Sequence, residues 1–198
     1  MKRKALIVLV VCVGLIGIGA IFGVRTYNQL VKADEDVTSA WRKVESAYQQ
    51  RVNLVPDLVY VVKGYAAQER LTYLRVTQAR TKLIQFKLPS DIVKNPEALM
   101  QYQQAQDKLS AALDQLLKVA RRYPEIKTSH SYVMLWKRLK ITENSISVER
   151  KRFNELSKYF NTLKRIFPNV LVAKVMGFQE KAYFQSAPAA GEGSKADL

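Results

Sequence analysis

The feature that most limits what this chain can become is an uncharged run near its start. Lys2, Arg3 and Lys4 precede residues 5–24, which carry no charge, and Arg25 closes the run. About twenty residues at a helical rise of roughly 1.5 Å each span about 30 Å, the thickness of a bilayer's hydrocarbon core. A transmembrane helix over residues 5–24 is therefore expected. A cleaved signal peptide would need small residues three and one before the cut, and near Ala20 the −3 position is Ile18. A lipoprotein would be modified at Cys12, but Val11 precedes it where a small residue is wanted, and the apolar stretch before it is short. A retained anchor fits better than either. Lys2, Arg3 and Lys4 favour a cytoplasmic N-terminus with the rest of the chain outside; Arg25 and Lys32 weaken the asymmetry. Gly19 and Gly23 make a GxxxG, which lets two membrane helices approach closely, so homo-oligomerisation through them is an open expectation.

The remaining chain is long enough for one domain with a real core. The apolar positions Tyr27, Leu30, Val37, Trp41, Val44, Tyr48 and Val52 recur at gaps of three, four and seven, one face of a helix. Nothing breaks the stretch after Gly23, so the membrane helix is expected to run on into the domain. The first break is expected at Asn53-Leu54-Val55-Pro56. A second helix then carries Leu58, Val62, Tyr65, Val76 and Leu83, with Gly64 inside it in a close-packed position. The stretch Lys87 to Pro96 holds two prolines and reads as a loop, and Asn95-Pro96-Glu97 reads as a helix start. A third helix carries Leu99, Tyr102, Leu109, Leu113, Leu116 and Leu117 and ends at Tyr123-Pro124. A fourth carries Leu135, Leu139, Ile146, Phe153, Phe160, Leu163 and Phe167, and Pro168 ends it. A short apolar piece follows from Val170 to Phe184, and the Ala-, Gly- and Ser-rich tail is expected to be disordered. No sustained alternation of period two occurs, so no sheet is expected. The expectation is all-α: an N-terminal transmembrane helix followed by an up-and-down four-helix bundle. The divisions are a basic flank (1–4), the membrane helix (5–24), the bundle domain (25–185) and the tail (186–198).

Little in the sequence points to catalysis or cofactors. His130 is the only histidine and Cys12 the only cysteine. There is no HExxH, no CxxC, no P-loop and no pair of Glu-x-x-His motifs of the kind that hold di-iron in bundles. No metal, cofactor or catalytic residue is assigned. His130 reads as a surface or capping residue. Four charged residues lie near apolar faces: Glu69 and Arg80 on the second helix, Glu143 and Arg150 on the fourth. Unpaired charge inside a bundle is costly, so a Glu–Arg bridge between these two helices is expected to hold their register. The chain carries 32 Lys+Arg against 17 Asp+Glu, a formal net charge of +15. Such an excess suits acidic partners, and the adjoining anchor makes an anionic lipid surface the nearest one. Basic and aromatic residues adjoin in Arg121-Arg122-Tyr123, Trp136-Lys137-Arg138 and Arg150-Lys151-Arg152-Phe153. Their aromatics fall at core spacing, which argues for packing rather than nucleic-acid binding.

An ordered set of short motifs carries a family resemblance. Tyr27-Asn28-Gln29-Leu30-Val31, Ala40-Trp41, Gln49-Gln50-Arg51 and Leu54-Val55-Pro56-Asp57-Leu58-Val59 come first, and Lys63-Gly64-Tyr65-Ala66 then precedes Glu69. Tyr123-Pro124-Glu125-Ile126-Lys127, Glu143-Asn144, Ile146, Arg150 and Phe153-Asn154 follow, then Asn161, Phe167-Pro168 and Gly177-Phe178. The set resembles the LemA family over residues 27–184. The resemblance implies a bacterial membrane protein with one N-terminal span, a helical bundle and no established enzymatic activity. Its relatives include a protein of the magnetosome membrane, which favours membrane organisation. Arg122 stands where the family often has Glu, and Phe153 where it usually has Tyr. Three functions stay open: a membrane-anchored interaction or scaffold protein with an unknown protein partner, a membrane-organising or lipid-surface protein, and an enzyme, for which the sequence offers no site.

Overall fold

The computed structural model describes residues 2–185, except for the side chains of residues 2–8, Val11, Cys12 and Ile16. The tail expected to be disordered, residues 186–198, lies outside the described residues. All regular structure among the described residues is helical. Six α-helices follow in order: α1 Lys2–Tyr65, α2 Arg70–Ile84, α3 Pro96–Arg122, α4 Pro124–Thr128, α5 His130–Arg165 and α6 Asn169–Val175.

One expectation concerns continuity, and α1 bears on it twice. The helix passes without interruption from the apolar run into the domain. It also passes through Pro56 rather than breaking there. Proline lacks the N–H that would bond the carbonyl four residues back, which is that of Val52. Arg80 Nε of α2 donates to that carbonyl at 3.2 Å. The orphaned acceptor is satisfied from a neighbouring helix, so the proline does not end this one. The turn to α2 falls later, at residues 66–69. Gly64 is consequently not a close-packed interior residue of a second helix: it is exposed near the end of α1, and a Cβ there would meet nothing within 4 Å. Asn95 behaves as its sequence context suggested. Its Oδ1 accepts from Ala98 N at 3.0 Å, and Pro96 opens α3.

α1 is the spine of the molecule. Its buried residues Leu30, Val37, Val44, Arg51 and Leu58 repeat every seven positions, the spacing of a seam between packed helices. α5 answers with Tyr132, Leu139, Ile146, Phe153 and Phe160. The two run antiparallel: Trp41 meets Phe153, and Arg51 meets Glu143. α2 runs antiparallel to both α1 and α3, and α3 parallel to α1. α1 touches α2, α3 and α5, whereas no Cα of α3 comes within 8 Å of one in α5.

The opening between α3 and α5 is closed by the chain's own end. Residues 177–185 run through it without helix or strand. Phe184 is 4% exposed and enters an aromatic cluster with Trp41 of α1 and Phe153 of α5, with ring centroids 6.0 and 5.4 Å away. Tyr102 of α3 joins the same cluster through Trp41 and Tyr48. Most core positions read from the sequence are buried. Tyr27, Tyr65 and Phe167 are exposed instead. Phe167 lies past the end of α5, so it does not share that helix's face. Trp136 is also at the surface, covered by the Lys140 ammonium 5.4 Å from its ring, rather than in the core.

Among the described residues, no helix is long and apolar enough to cross a membrane. The run at residues 5–24 is only partly among them. Where it is described, Leu9, Val10, Val13, Leu15, Ile18, Ile21 and Val24 are each at least 60% exposed. Among the described side chains, burial on α1 begins at Thr26 and Leu30.

Candidate functional site

The most unusual residue of the core is Arg51. It occupies a seam position of α1 and is 2% exposed. A guanidinium cannot lose its charge in a protein and carries five donors, so burial demands an acceptor for each direction. Two helices, α3 and α5, converge to supply them. Nη1 bonds to Ser110 Oγ of α3 at 2.6 Å and to both carboxylate oxygens of Glu143 of α5, at 3.0 and 3.2 Å. Nη2 bonds to the backbone oxygen of Gln106 at 3.1 Å and to its Oε1 at 2.7 Å. The guanidinium also lies 5.3 Å from the centre of the Tyr48 ring, a cation–π contact. Nε has no hydrogen-bond partner. Glu143 is the outer member of the pair, 41% exposed. It helps line a groove of about 310 Å³ between α3 and α5, with Asp114, Trp136, Lys140 and Asn144.

Glu143 is thus the one residue of the four expected bridging charges that pairs inside the bundle, and its partner is Arg51 of α1. Glu69 precedes α2 and pairs with Arg122 of α3, 2.9 Å away at the surface. Arg80 is occupied with the Val52 carbonyl. Arg150 Nη2 donates to the Gln185 carbonyl at 3.0 Å, and its guanidinium sits 4.7 Å from the Phe184 ring centre. The four therefore do not meet. The assumed break at Asn53–Pro56 hid the reason: with α1 continued, Arg51 falls seven residues from both Val44 and Leu58, and the seam spacing marks it as a core residue.

A second polar device holds residues 177–185. An irregular segment inside a core must find partners for its backbone groups. Side-chain amides provide them in pairs. Asn161 donates to the Lys181 carbonyl at 2.9 Å and accepts from Lys181 N at 2.8 Å. Asn154, two turns earlier on α5, does the same for Phe184 at 3.0 and 2.9 Å. Gln103 of α3 does it for Gln185, both bonds at 3.0 Å. Lys181 is itself buried, and its Nζ lies 2.6 Å from Asp34 Oδ1 of α1. The contact is one of charge rather than of a well-aligned hydrogen bond. Burial pushes the Lys181 pKa below its ordinary 10.5, with the Asp34 carboxylate opposing that shift.

What these groups can do chemically is narrow. An arginine held on both sides is a fixed charge and moves no proton. Both oxygens of Glu143 are engaged with it. His130 opens α5 as an exposed residue far along the chain from either device. Among the described residues, no group of three or more His, Cys, Asp or Glu is placed to hold a metal ion.

Fold and site together define an all-helical protein whose core is keyed by buried polar side chains and closed by its own C-terminal segment. The chain belongs to the LemA family, which it matches over residues 40–196. It is similar to the magnetosome proteins MamQ 1 and MamQ 2 of Paramagnetospirillum magneticum, at 25% identity over 179 residues in each case. Those matches cover 82% of this chain and 66% of each relative's length. It is also similar to Protein LemA of Metamycoplasma hominis, at 23% identity over 172 residues, covering 87% of this chain and 74% of that one.

Proposed function

We propose that this is a membrane-anchored, non-enzymatic interaction or scaffold protein of the bacterial cell membrane. Residues 5–24 of α1 are its single span, with the N-terminus in the cytoplasm and the four-helix domain of residues 25–185 outside. One observation carries the reading: α1 continues beyond the packed body, and there Leu9, Val10, Val13, Leu15, Ile18, Ile21 and Val24 are uncovered. Water is a poor surrounding for such a surface, and hydrocarbon a good one. An unbroken helix through the membrane boundary would hold the domain at a set height and orientation over the bilayer. A Cβ built on Gly19 or Gly23 would meet nothing within 4 Å, which leaves room for a second copy's helix.

A second reading, a membrane-organising protein acting on anionic lipid, is favoured by the magnetosome relatives and by the formal charge of +15. Flotation with membranes after an alkaline carbonate wash tests the anchor. The full chain should float and be released only by detergent, and a chain lacking residues 1–24 should stay at the bottom. Carbonate release of the full chain would overturn the reading. A reporter active only outside the cytoplasm, fused after Leu198, should be active; a silent one, with a cytoplasmic reporter active at the same place, overturns the orientation. Crosslinking the intact protein in its native membrane identifies the protein partner a scaffold requires.

A further inference from the structure

Beyond Arg165 the chain leaves the core face of α5 and turns into α6. Ile166, Phe167, Leu171, Val175 and Met176 remain exposed along this corner, Phe167 at 79% and Val175 at 82%. Asn169 and Ala173 are the buried side of α6. The short helix thus packs one stripe inward and turns an apolar stripe outward, where a helix facing water would carry polar residues.

The location of that stripe says what covers it. Thr26 Oγ1 of α1 bonds to Asn169 Oδ1 of α6 at 3.3 Å, and the Tyr27 ring lies 6.0 Å from Phe178. Ala20, Gly23, Val24 and Tyr27 line one groove of about 510 Å³ with Leu171, Val172, Val175 and Met176. The corner is therefore continuous with the uncovered apolar length of α1, at the level where that helix leaves the packed body. Exposed Arg25, Arg165 and Lys174 border it, and Arg165 shares its charge with Glu180 at 2.8 Å.

We propose that this corner is a foot that seats in the headgroup–acyl boundary of an anionic bilayer. Phe167, Leu171, Val175 and Met176 enter the acyl side, and Arg25 and Lys174 meet lipid phosphates. The inference rests on the membrane-anchor reading and adds to it a second, monotopic contact that fixes how the domain leans on the membrane. Apolar side chains bordered by bases are the chemistry of such an interfacial contact. If residues 5–24 span, Arg25 marks the headgroup level, and Thr26–Asn169 ties α6 to the same level.

The test uses the full chain with Cys12→Ser and a single new cysteine, V175C or Y60C, labelled with an environment-sensitive fluorophore. Tyr60 is 81% exposed and lies on the part of α1 farthest from the run. Both proteins are reconstituted in vesicles of phosphatidylethanolamine and phosphatidylglycerol, with or without lipid carrying a nitroxide near the headgroup. Both should float, with the V175C label quenched several-fold more than the Y60C label. Floating protein whose V175C label is no more quenched than Y60C overturns the foot and leaves the anchor standing. Protein that does not float overturns both. Strong energy transfer between donor- and acceptor-labelled V175C at low protein-to-lipid ratio, without nitroxide quenching, means a second copy covers the corner and overturns the lipid assignment.

Discussion

Arg51 and Glu143 are unequal partners, because the arginine is buried and the carboxylate reaches the groove. Removing the carboxylate strands a desolvated cation on neutral acceptors; removing the arginine frees a carboxylate that can hydrate in place. Glu143→Ala should therefore lower unfolding free energy by about 3 kcal/mol, and Arg51→Met by about 1–2 kcal/mol. Denaturant unfolding of the two variants checks the order, and a reversed order would mean that the guanidinium is hydrated through the groove. The Arg80–Val52 contact allows a sharper measurement. Arg80→Met leaves a carbonyl unpaired because Pro56 cannot serve it, at about 1–3 kcal/mol. In a Pro56→Ala background the alanine N–H can take that carbonyl, so the same substitution should cost much less. Additive losses across this double-mutant cycle would dissociate Arg80 from the proline.

At the scale of elements, the C-terminal segment takes the place of direct contact between α3 and α5. Its order depends on side-chain amides rather than on a backbone ladder, so it should respond to single substitutions on a neighbouring helix. Asn161→Ala removes partners from both the N–H and the C=O of Lys181, at about 1–3 kcal/mol for each group left unpaired. Hydrogen exchange should then quicken over residues 179–185 while the central turns of α1 and α5 keep their protection. Loss of protection throughout the molecule would instead make the segment part of one cooperative unit with the helices.

At the scale of the whole molecule, buried hydroxyls and one buried ammonium set the response to alkali. Tyr48, Tyr73, Tyr102 and Tyr132 all have pKa values raised from the usual 10.0 by desolvation, Tyr102 to about 12. Each group raised in this way contributes stability that is complete below pH 10 and is lost as pH climbs through its folded value. Lys181 acts in the opposite sense. Its lowered folded value means that stability is gained as pH rises from that value to 10.5. Four tyrosines outweigh one lysine, so unfolding free energy should fall between pH 10 and 12. Tyr102→Phe should remove about 2 kcal/mol of that fall. An unchanged alkaline slope in that variant would show its hydroxyl to be hydrated in the folded protein.

Helical periodicity was legible without a structure, because a face of a helix is written in the spacing of its apolar residues. Leu30, Val37, Val44, Leu99, Leu109, Leu139 and Phe153 could all be placed in the core from spacing alone, and Asn95-Pro96 could be read as a helix start because a cap is a local event. The uncharged run at residues 5–24 is equally local, as is the absence of strand alternation. Pro56 was misleading for the same reason: its cost is local, but its remedy, Arg80, comes from another helix. Pairing of charges lay beyond sequence as well. Glu69, Arg80, Glu143 and Arg150 could be recognised as charges near apolar faces, but four helices leave many ways to join them, and only packing selected Arg51 for Glu143 and Arg122 for Glu69. The closure of the α3–α5 gap by residues 177–185 was decided by tertiary structure alone. Its amide clamps join positions as far apart as Gln103 and Gln185, and no periodicity connects them, because their spacing is set by the width of the gap and not by the pitch of a helix.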